Sequence, residues 1–250
     1  MFDFATQIIQ NIPHSALRIR NIPHSFNNFP MRHILFDNDG TLVDTEIIAV
    51  RSMLSVLRET GFEMSERDYC ARFPGLLETD ILEILRRDYG ANVGEEHLEL
   101  SRKRFHEMFP TELRAIAGMP DIFQQLKVPK SIVSNAGLPH IERCLRGIGL
   151  QAHLDGQMFS AQQVAQPKPQ PDVYLHALQQ LGLHPSETLA VEDSPTGVRA
   201  AKAAGLLVIG FLGAGHVHDD HGEHLHAAGA DLIADDARAL RLILQEKKVL

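Results

Sequence analysis

Short apolar runs alternate with segments of helical spacing along most of the chain. Runs without polar alternation, as in LLVIGFL, are typical of parallel strands that are covered on both faces. Between them, PDVYLHALQQLG has apolar residues close to helical spacing, and SPTGVRAAKAAG begins with a candidate N-cap, Ser194, and ends at a candidate C-cap, Gly205. The alternation predicts an α/β fold, a Rossmann-like parallel sheet with helices on both faces. The predicted strands lie in HILFD (33–37), SIVSN (131–135), TLAVED (188–193), LLVIGFL (206–212) and ADLIADD (230–236).

One region departs from this alternation. From about Ile47 to Ile116 the sequence is charged and helical in spacing, with no strong strand pattern. The segments IIAVRSMLSVLRETG, TDILEILRRDYG and EEHLELSRKRFHEMF predict amphipathic helices separated by Gly and Pro. We therefore predict a helical cap at 47–116, inserted after the first strand into a Rossmann-like core made of 31–46 and 117–250.

The first thirty residues differ from both regions. The pentapeptide NIPHS occurs twice, at 11–15 and 21–25, and its Pro and Asn favour turns or disorder. Met31 stands directly before the first predicted strand and is a candidate start site. Residues 1–30 are predicted to be a dispensable extension, with a partner-binding tail as the alternative.

Charge and composition narrow the possible partners. The net charge of −8 argues against nucleic acid or an anionic membrane as the main partner. The two cysteines, Cys70 and Cys144, fit neither a zinc motif nor a disulfide framework, which favours a reducing cytoplasm. No apolar run suits a bilayer span, and the first ten residues lack the features of a secretory signal. A monomer or a weak homodimer is expected.

Polar residues follow the apolar runs where parallel strands should end. In an open α/β sheet these ends form the ligand-binding edge, so side chains distant in sequence should converge there. Hard oxygen ligands at one edge suit Mg²⁺, and because no His or Cys accompanies them, a zinc site is less favoured. The converging residues are Asp37, Asp39, Ser134, Asn135, Glu192 and Asp193.

Four motifs in order resemble those of the haloacid dehalogenase (HAD) superfamily. DNDGTLVDTE resembles its first motif, Ser134 its second, Lys168 in QPKPQP its third, and VEDSPTG its fourth. The resemblance covers about residues 31–250, and the helical insert lies where that superfamily has its cap. The forms DGTLVDTE and VEDSPTGVRAAKAAG resemble the β-phosphoglucomutase and sugar-phosphatase branch.

The resemblance implies a role for each motif. Asp37 would be the nucleophile that forms an aspartyl-phosphate, and Asp39 the general acid and base. Mg²⁺ would be held by Asp37, Asp193 and the backbone carbonyl of Asp39. Lys168 and Ser134, with the neighbouring Asn135, would bind the phosphoryl oxygens.

Several residues keep two interpretations. Glu192 is either a metal ligand or a neighbour of the ligands, with the second slightly favoured. Arg72, in RFPGLLETD, resembles part of the cap's specificity loop and either binds substrate or is a surface cation. Asp44 and Glu46 are expected to be helix N-terminal acids. The histidine-rich stretch from His216 to His226 is predicted to be an exposed loop rather than a transition-metal site.

These features predict a Mg²⁺-dependent phosphatase for small phosphorylated metabolites, most plausibly sugar or sugar-acid phosphates. Asp39 argues against a dehalogenase, since a departing halide needs no proton. Relatives of β-phosphoglucomutase often carry a His three residues after the DTE glutamate, where this chain has Ala49, which favours hydrolysis. The alternatives are a phosphomutase of the same fold and a pseudo-enzyme that only binds phosphorylated metabolites.

Overall fold

A six-stranded, fully parallel sheet forms the centre of the larger of two compact units. The computed structural model describes residues 30–73, 76, 78–217 and 220–250. Residues 1–29 of the predicted extension therefore lie outside the described residues. The sheet unit comprises the described residues up to Val43, Ala115–Ala214 and 220–250. The smaller unit is helical and comprises Asp44–Arg114 with the turn that begins at Gly215.

The sheet has the strand order β3-β2-β1-β4-β5-β6. Phe36 at the end of β1 pairs with Ile132 on one side and Val191 on the other, so β1 lies between strands that come much later in the sequence. Every residue of β1, β2 and β4 is buried, as expected for a sheet covered on both faces. The strands are β1 (His33–Phe36), β2 (Lys130–Ser134), β3 (Met158–Ser160), β4 (Thr188–Glu192), β5 (Leu207–Phe211) and β6 (Leu232–Ala234).

Helices follow the strands and cover the sheet. Leu35, Val133 and Ala190, which project from one face, pack with Val173 and Val198 in a continuous apolar core. In the sheet unit the helices are α5 (Met119–Gln125), α6 (Leu138–Gly147), α7 (Asp172–Leu181), α8 (Pro195–Ala203), α9 (His221–Ala227) and α10 (Ala237–Glu246).

The helical unit has a core of its own. Its helices are α1 (Thr45–Glu59), α2 (Glu66–Cys70), α3 (Glu78–Tyr89) and α4 (Glu95–Glu112). Leu54 and Leu57 of α1 pack with Phe73 and Leu85, and all four are fully buried or nearly so. Whether this unit acts as a cap over the active site stays a prediction. In the described part of the chain, no helix has the length and apolar character needed to cross a bilayer.

The structure confirms the predicted fold class and corrects details within it. Strand β3 and the short helix α2 were not predicted. The histidine-rich stretch was predicted as an exposed loop, but its second half forms α9, and His216 is buried. Ser194 caps α8 as predicted, accepting a hydrogen bond from the Gly197 backbone N–H (3.0 Å). The C-cap is Ala204, and the predicted Gly205 follows it in the left-handed region, at φ 83°.

Candidate active site

The chain reverses sharply just after β1, and this turn sets the floor of the candidate site. The backbone N–H of Gly40 donates to the Val43 carbonyl (2.8 Å), and Gly40 has φ 81°, where a side chain is strained. A Cβ at this position would also collide with the carboxylate of Asp193, which follows β4. Glycine therefore allows two neighbouring strand ends, and the aspartates that follow them, to approach closely.

Lys168 lies in the middle of the buried acids. Its Nζ donates to Asp37 Oδ1 (2.6 Å), to Glu192 Oε1 (2.6 Å) and to the Val133 carbonyl oxygen (2.7 Å). These three acceptors match the three protons of an ammonium group. The side chain of Lys168 is only 3% exposed, so the ion pairs are shielded from water. Lys168 is thus a single buried cation that binds Asp37 and Glu192 at the same time.

Glu192 is fully buried at the end of β4. Besides Lys168, its Oε1 accepts a hydrogen bond from the Tyr174 hydroxyl (2.5 Å). Its Oε2 is buried and has no hydrogen-bond partner among the described residues. A Cβ added at Gly197 would collide with this carboxylate, so α8 approaches it closely. A buried carboxylate oxygen with no donor is unfavourable unless a cation or a proton is held beside it.

Burial dominates the ionisation of Asp37. It raises the pKa of Asp37 to about 8, and although Lys168 lowers the value, the Glu192 carboxylate raises it again. Burial alone would lower the pKa of Lys168, but Asp37 and Glu192 outweigh it and hold that pKa above its ordinary value. Lys168 therefore stays charged at neutral pH, while Asp37 requires a further positive charge to be fully ionised.

Three carboxylates at this edge fit a divalent cation. Oxygens of Asp37, Glu192 and Asp193 lie within 4.8 Å of one another, and all three residues are buried. Mg²⁺ prefers hard oxygen ligands, and it commonly combines a few carboxylates with the oxygens of a bound phosphate. The Oε2 of Glu192, which has no hydrogen-bond partner among the described residues, and the raised pKa of Asp37 both fit a cluster that holds a cation. When bound, Mg²⁺ would offset the repulsion between the anionic aspartate and an anionic phosphate ester.

Ser134 ends β2, and Asn135 follows it at the same edge of the sheet. The Ser134 hydroxyl oxygen accepts a hydrogen bond from the Ala136 backbone N–H (3.0 Å). The Asn135 side chain donates to the Lys168 carbonyl (3.2 Å) and accepts from the Lys168 backbone N–H (2.9 Å). Asn135 thus fixes the segment that carries Lys168, and its direct contact with phosphate stays a prediction.

Asp39 has partners that the sequence analysis missed. Its Oδ1 is 2.8 Å from His140 Nε2, and its Oδ2 accepts a hydrogen bond from the Asn38 side chain (3.0 Å). His140 Nε2 is also 3.4 Å from Cys144 Sγ. The hydrogen bond with Asp39, and then that with Cys144, raises the pKa of His140 to about 10. The statement that no His or Cys accompanies the acids is therefore wrong, because α6 brings both residues to Asp39.

Part of the histidine-rich stretch borders the site. His221, in α9, has its Nε2 2.6 Å from the backbone carbonyl oxygen of Asp193. His216 belongs to the helical unit, as does Asp44, whose Oδ2 accepts from the Gly215 backbone N–H (3.0 Å). Asp44 occupies the N-cap position of α1 and Glu46 its first turn, as predicted. Among the described residues, the only groups of three or more potential metal ligands are the Asp37 cluster and the group around Asp39.

The sequence across both units identifies the family. A family model described as haloacid dehalogenase-like hydrolase matches residues 34–211, well over half of the chain. The chain belongs to the haloacid dehalogenase-like hydrolases. It is therefore an enzyme of the HAD family, and the resemblance inferred from its four motifs is confirmed.

Two of the proteins that this chain is similar to are named as phosphatases. The 6-phosphogluconate phosphatase of Escherichia coli (strain K12) is 26% identical over 184 residues, covering 73% of this chain and 83% of the relative. The phosphorylated carbohydrates phosphatase of Thermotoga maritima is 31% identical over 220 residues, covering 85% and 98%. A HAD family hydrolase from Deinococcus radiodurans R1, solved with bound phosphate and sodium, has a TM-score of 0.81 and 31% identity, covering 89% and 99%.

The last of the predicted site residues is Arg72. It is exposed and lies in the helical unit, with its guanidinium carbon 5.5 Å from the centre of the Tyr89 ring. Together with Asp68 and Tyr89 it lines an open cleft within that unit. Its contact with substrate stays a prediction.

Proposed function

We propose that this HAD hydrolase is a Mg²⁺-dependent phosphatase of small phosphate monoesters, with sugar or sugar-acid phosphates as its substrates. The observation that carries the proposal is the pair of aspartates after β1, with Asp37 held by buried Lys168 and Asp39 held by His140. The names of the two phosphatase relatives support phosphorylated carbohydrates as the substrate class.

In the proposed reaction Asp37 acts as the nucleophile. A carboxylate oxygen attacks phosphorus, the ester oxygen departs, and an aspartyl-phosphate forms. The contact between Lys168 Nζ and Asp37 Oδ1 supports the proposal that Lys168 binds the phosphoryl oxygens next to that carboxylate. The Ser134 hydroxyl, at the end of the adjacent strand, is proposed as a second phosphoryl contact.

Asp39 is proposed to handle the proton. The leaving alcohol must be protonated, and the water that cleaves the aspartyl-phosphate must lose a proton. The hydrogen bond between His140 Nε2 and Asp39 Oδ1 holds a proton at the carboxylate that has to deliver one. This requirement separates a phosphatase from a dehalogenase, whose halide leaves without a proton.

The central test is a phosphate-release screen over sugar phosphates, phosphorylated sugar acids and nucleotides with Mg²⁺. Asp37→Asn should abolish turnover while retaining a hydrogen-bond acceptor for Lys168. The matched control is Asp121→Asn, at an exposed aspartate in the first turn of α5, and it should retain full activity. The proposal fails if Asp37→Asn turns over at a rate close to the wild type.

The same screen separates the alternatives. A phosphomutase would interconvert isomers of a sugar phosphate, primed by the bisphosphate, faster than it releases phosphate. A pseudo-enzyme would bind a phosphorylated metabolite by calorimetry but turn over none of the panel. Chloride release from 2-chloro acids, rather than phosphate release, would indicate a dehalogenase.

Arg72 is proposed to contact a negatively charged group of the substrate. Arg72→Ala should raise the KM for phosphorylated sugar acids more than for neutral sugar phosphates, because the arginine would pair with the extra carboxylate. Arg67→Ala, which removes another exposed arginine of the helical unit, is the control. Equal effects of Arg72→Ala on both substrate classes would exclude this role.

A further inference from the structure

A second group of potential metal ligands shares Asp39 with the proposed active site and differs in chemistry from the cluster of Asp37, Glu192 and Asp193. Asp39, His140 and Cys144 place one ligand atom each within 4.8 Å of one another. His140 Nε2 is 2.8 Å from Asp39 Oδ1 and 3.4 Å from Cys144 Sγ, so one ring nitrogen faces a carboxylate and a thiol together. The first cluster offers only oxygen ligands, whereas this group offers oxygen, nitrogen and sulfur.

The backbone holds this group together. His140 and Cys144 are four residues apart in α6, so their side chains lie on the same face of the helix. Asp39 comes from the turn that Gly40 forms after β1. Cys144 is fully buried, while the side chains of His140 and Asp39 are 27% and 24% exposed, so two of the three residues in the group are in contact with solvent.

We propose that Asp39, His140 and Cys144 form a binding site for one Zn²⁺ ion or a similar soft divalent metal. Bond lengths to zinc are about 2.0–2.2 Å for nitrogen and oxygen and about 2.3 Å for sulfur, so tetrahedral ligands lie roughly 3.3–3.6 Å apart. The separation of His140 and Cys144 already falls in this range. The carboxylate of Asp39 has to move away from His140 by about half an ångström, which a side-chain rotation can provide.

The ligand set also decides which metal binds. Imidazole and thiolate ligands favour zinc, copper or nickel, while Mg²⁺ prefers oxygen ligands alone. The two metals therefore have separate sites, with Mg²⁺ at Asp37, Glu192 and Asp193 and zinc at Asp39, His140 and Cys144. Zinc replaces the proton at His140 Nε2 and displaces the thiol proton of Cys144, and both protons pass to solvent. A water or a substrate oxygen completes the tetrahedron.

Bound zinc is inhibitory in this arrangement. A carboxylate of Asp39 coordinated to zinc neither donates a proton to a leaving alcohol nor accepts one from water. This consequence rests on the proposed phosphatase function, whereas the binding itself does not. Zinc is therefore expected to inhibit at saturating Mg²⁺, through a site that Mg²⁺ does not fill.

The first test measures binding without reference to activity. The full, reduced chain is titrated with Co²⁺, a spectroscopic substitute for Zn²⁺, in saturating Mg²⁺ and without thiol reductants. A thiolate-to-cobalt charge-transfer band should appear with one equivalent of Co²⁺ and disappear when Zn²⁺ is added. The band should be absent from Cys144→Ser and retained in Cys70→Ser, which removes the other free cysteine, located in α2.

The second test measures inhibition. Cys144→Ser should retain basal phosphatase activity and should need at least about 100-fold more Zn²⁺ for half-inhibition, since it loses a direct ligand. Cys70→Ser should be inhibited like the wild type. Cys144→Ala serves as a second variant if the serine alters thermal melting.

The results of the two tests separate the proposed metal site from its proposed inhibitory role. No charge-transfer band in the wild type, or an unchanged band in Cys144→Ser, overturns the proposed site. Equal inhibition of wild type and Cys144→Ser overturns the inhibitory role and assigns the effect to the oxygen cluster. If no substrate is turned over, the phosphatase proposal fails while the cobalt titration still decides the site.

Discussion

Among the described residues, Lys168 is the only cation that donates hydrogen bonds to both Asp37 and Glu192, and Lys168→Met removes it. The methionine chain retains most of the apolar volume, so the change isolates the charge. Two buried carboxylates then face each other without the ammonium that lies 2.6 Å from each. Breaking a buried ion pair by removing one partner costs about 3–5 kcal/mol.

The lower end of that range applies here. Burial already raises the pKa of Asp37 to about 8 with Lys168 present, so without Mg²⁺ Asp37 is largely protonated at neutral pH and part of the repulsion is absent from the start. A loss of about 3 kcal/mol in the sheet unit corresponds to a melting temperature roughly 6–12 °C lower, at about 2–4 °C per kcal/mol for a chain of this size. Turnover should fall by at least about 100-fold, because an electrostatic contact to the transferring group is lost.

The assay compares Lys168→Met with a double variant and a matched control, using thermal melting without added Mg²⁺ and phosphate release with it. Adding Glu192→Gln should recover about half of the lost stability, because it removes one unpaired charge, but no activity. Lys202→Met is the control, since Lys202 pairs with Asp231 in the same unit but is 32% exposed. It should cost no more than about 1 kcal/mol and leave turnover intact.

Two results would refute this reasoning. One is a Lys168→Met variant that melts within about 2 °C of the wild type, a shift of 1 kcal/mol or less. The other is a double variant that is less stable than the single one. Either would mean that Lys168 does not compensate the buried carboxylates.

Three further predictions address the turn at the site, the sheet and the helical unit. Gly40→Ala should weaken Mg²⁺ binding by calorimetry at least about tenfold, since the new Cβ collides with Asp193; unchanged affinity would contradict the proposed Asp193 ligand. Burial lowers the pKa of His33 from 6.5 to about 4, so the unfolded chain binds the extra proton between these values and stability falls as the pH drops from about 6.5 towards 4. His33→Gln should reduce the difference in unfolding free energy between pH 7 and pH 5 by about 1–2 kcal/mol, allowing for solvent screening, and an unchanged difference in urea titrations would count against it. Leu85→Ala, in the core of the helical unit, should cost about 2–5 kcal/mol by urea unfolding, whereas the same change at exposed Leu76 should cost little.

The fold class could be predicted because the strands of a doubly covered sheet are continuous apolar runs. Strand β3, Met158–Ser160, was missed because only two adjacent residues in it, Met158 and Phe159, are apolar and polar residues flank them, so no apolar run is visible. Its pairing with β2, from Ile132 to Ser134, is a tertiary effect. The histidine-rich stretch was predicted as a loop from its Gly and Asp content, but Leu225 is buried in the core and anchors α9.

The candidate site was predictable where residues follow strand ends. Asp37, Glu192 and Asp193 converge because β1 and β4 are paired in parallel with their ends in register. His140 and Tyr174 gave no such signal. Each is an isolated residue in an amphipathic helix, and only the packing of that helix decides which acid it meets. The spacing of His140 and Cys144, four residues apart in one helical segment, was the one available clue.

The central position of β1 affects how the protein is made. Val191, its partner in β4, follows Phe36 by more than 150 residues, so at about 5–20 residues per second roughly 8–30 s pass before the ribosome has synthesised it. During that interval the nascent chain comes to contain the whole segment Asp44–Arg114, which has its own apolar core, while the edge of β1 that pairs with β4 is still open. A truncated translation product that stops before Thr188 would carry Asp37 on a strand without its β4 neighbour, a target for chaperones and proteases rather than a partial enzyme.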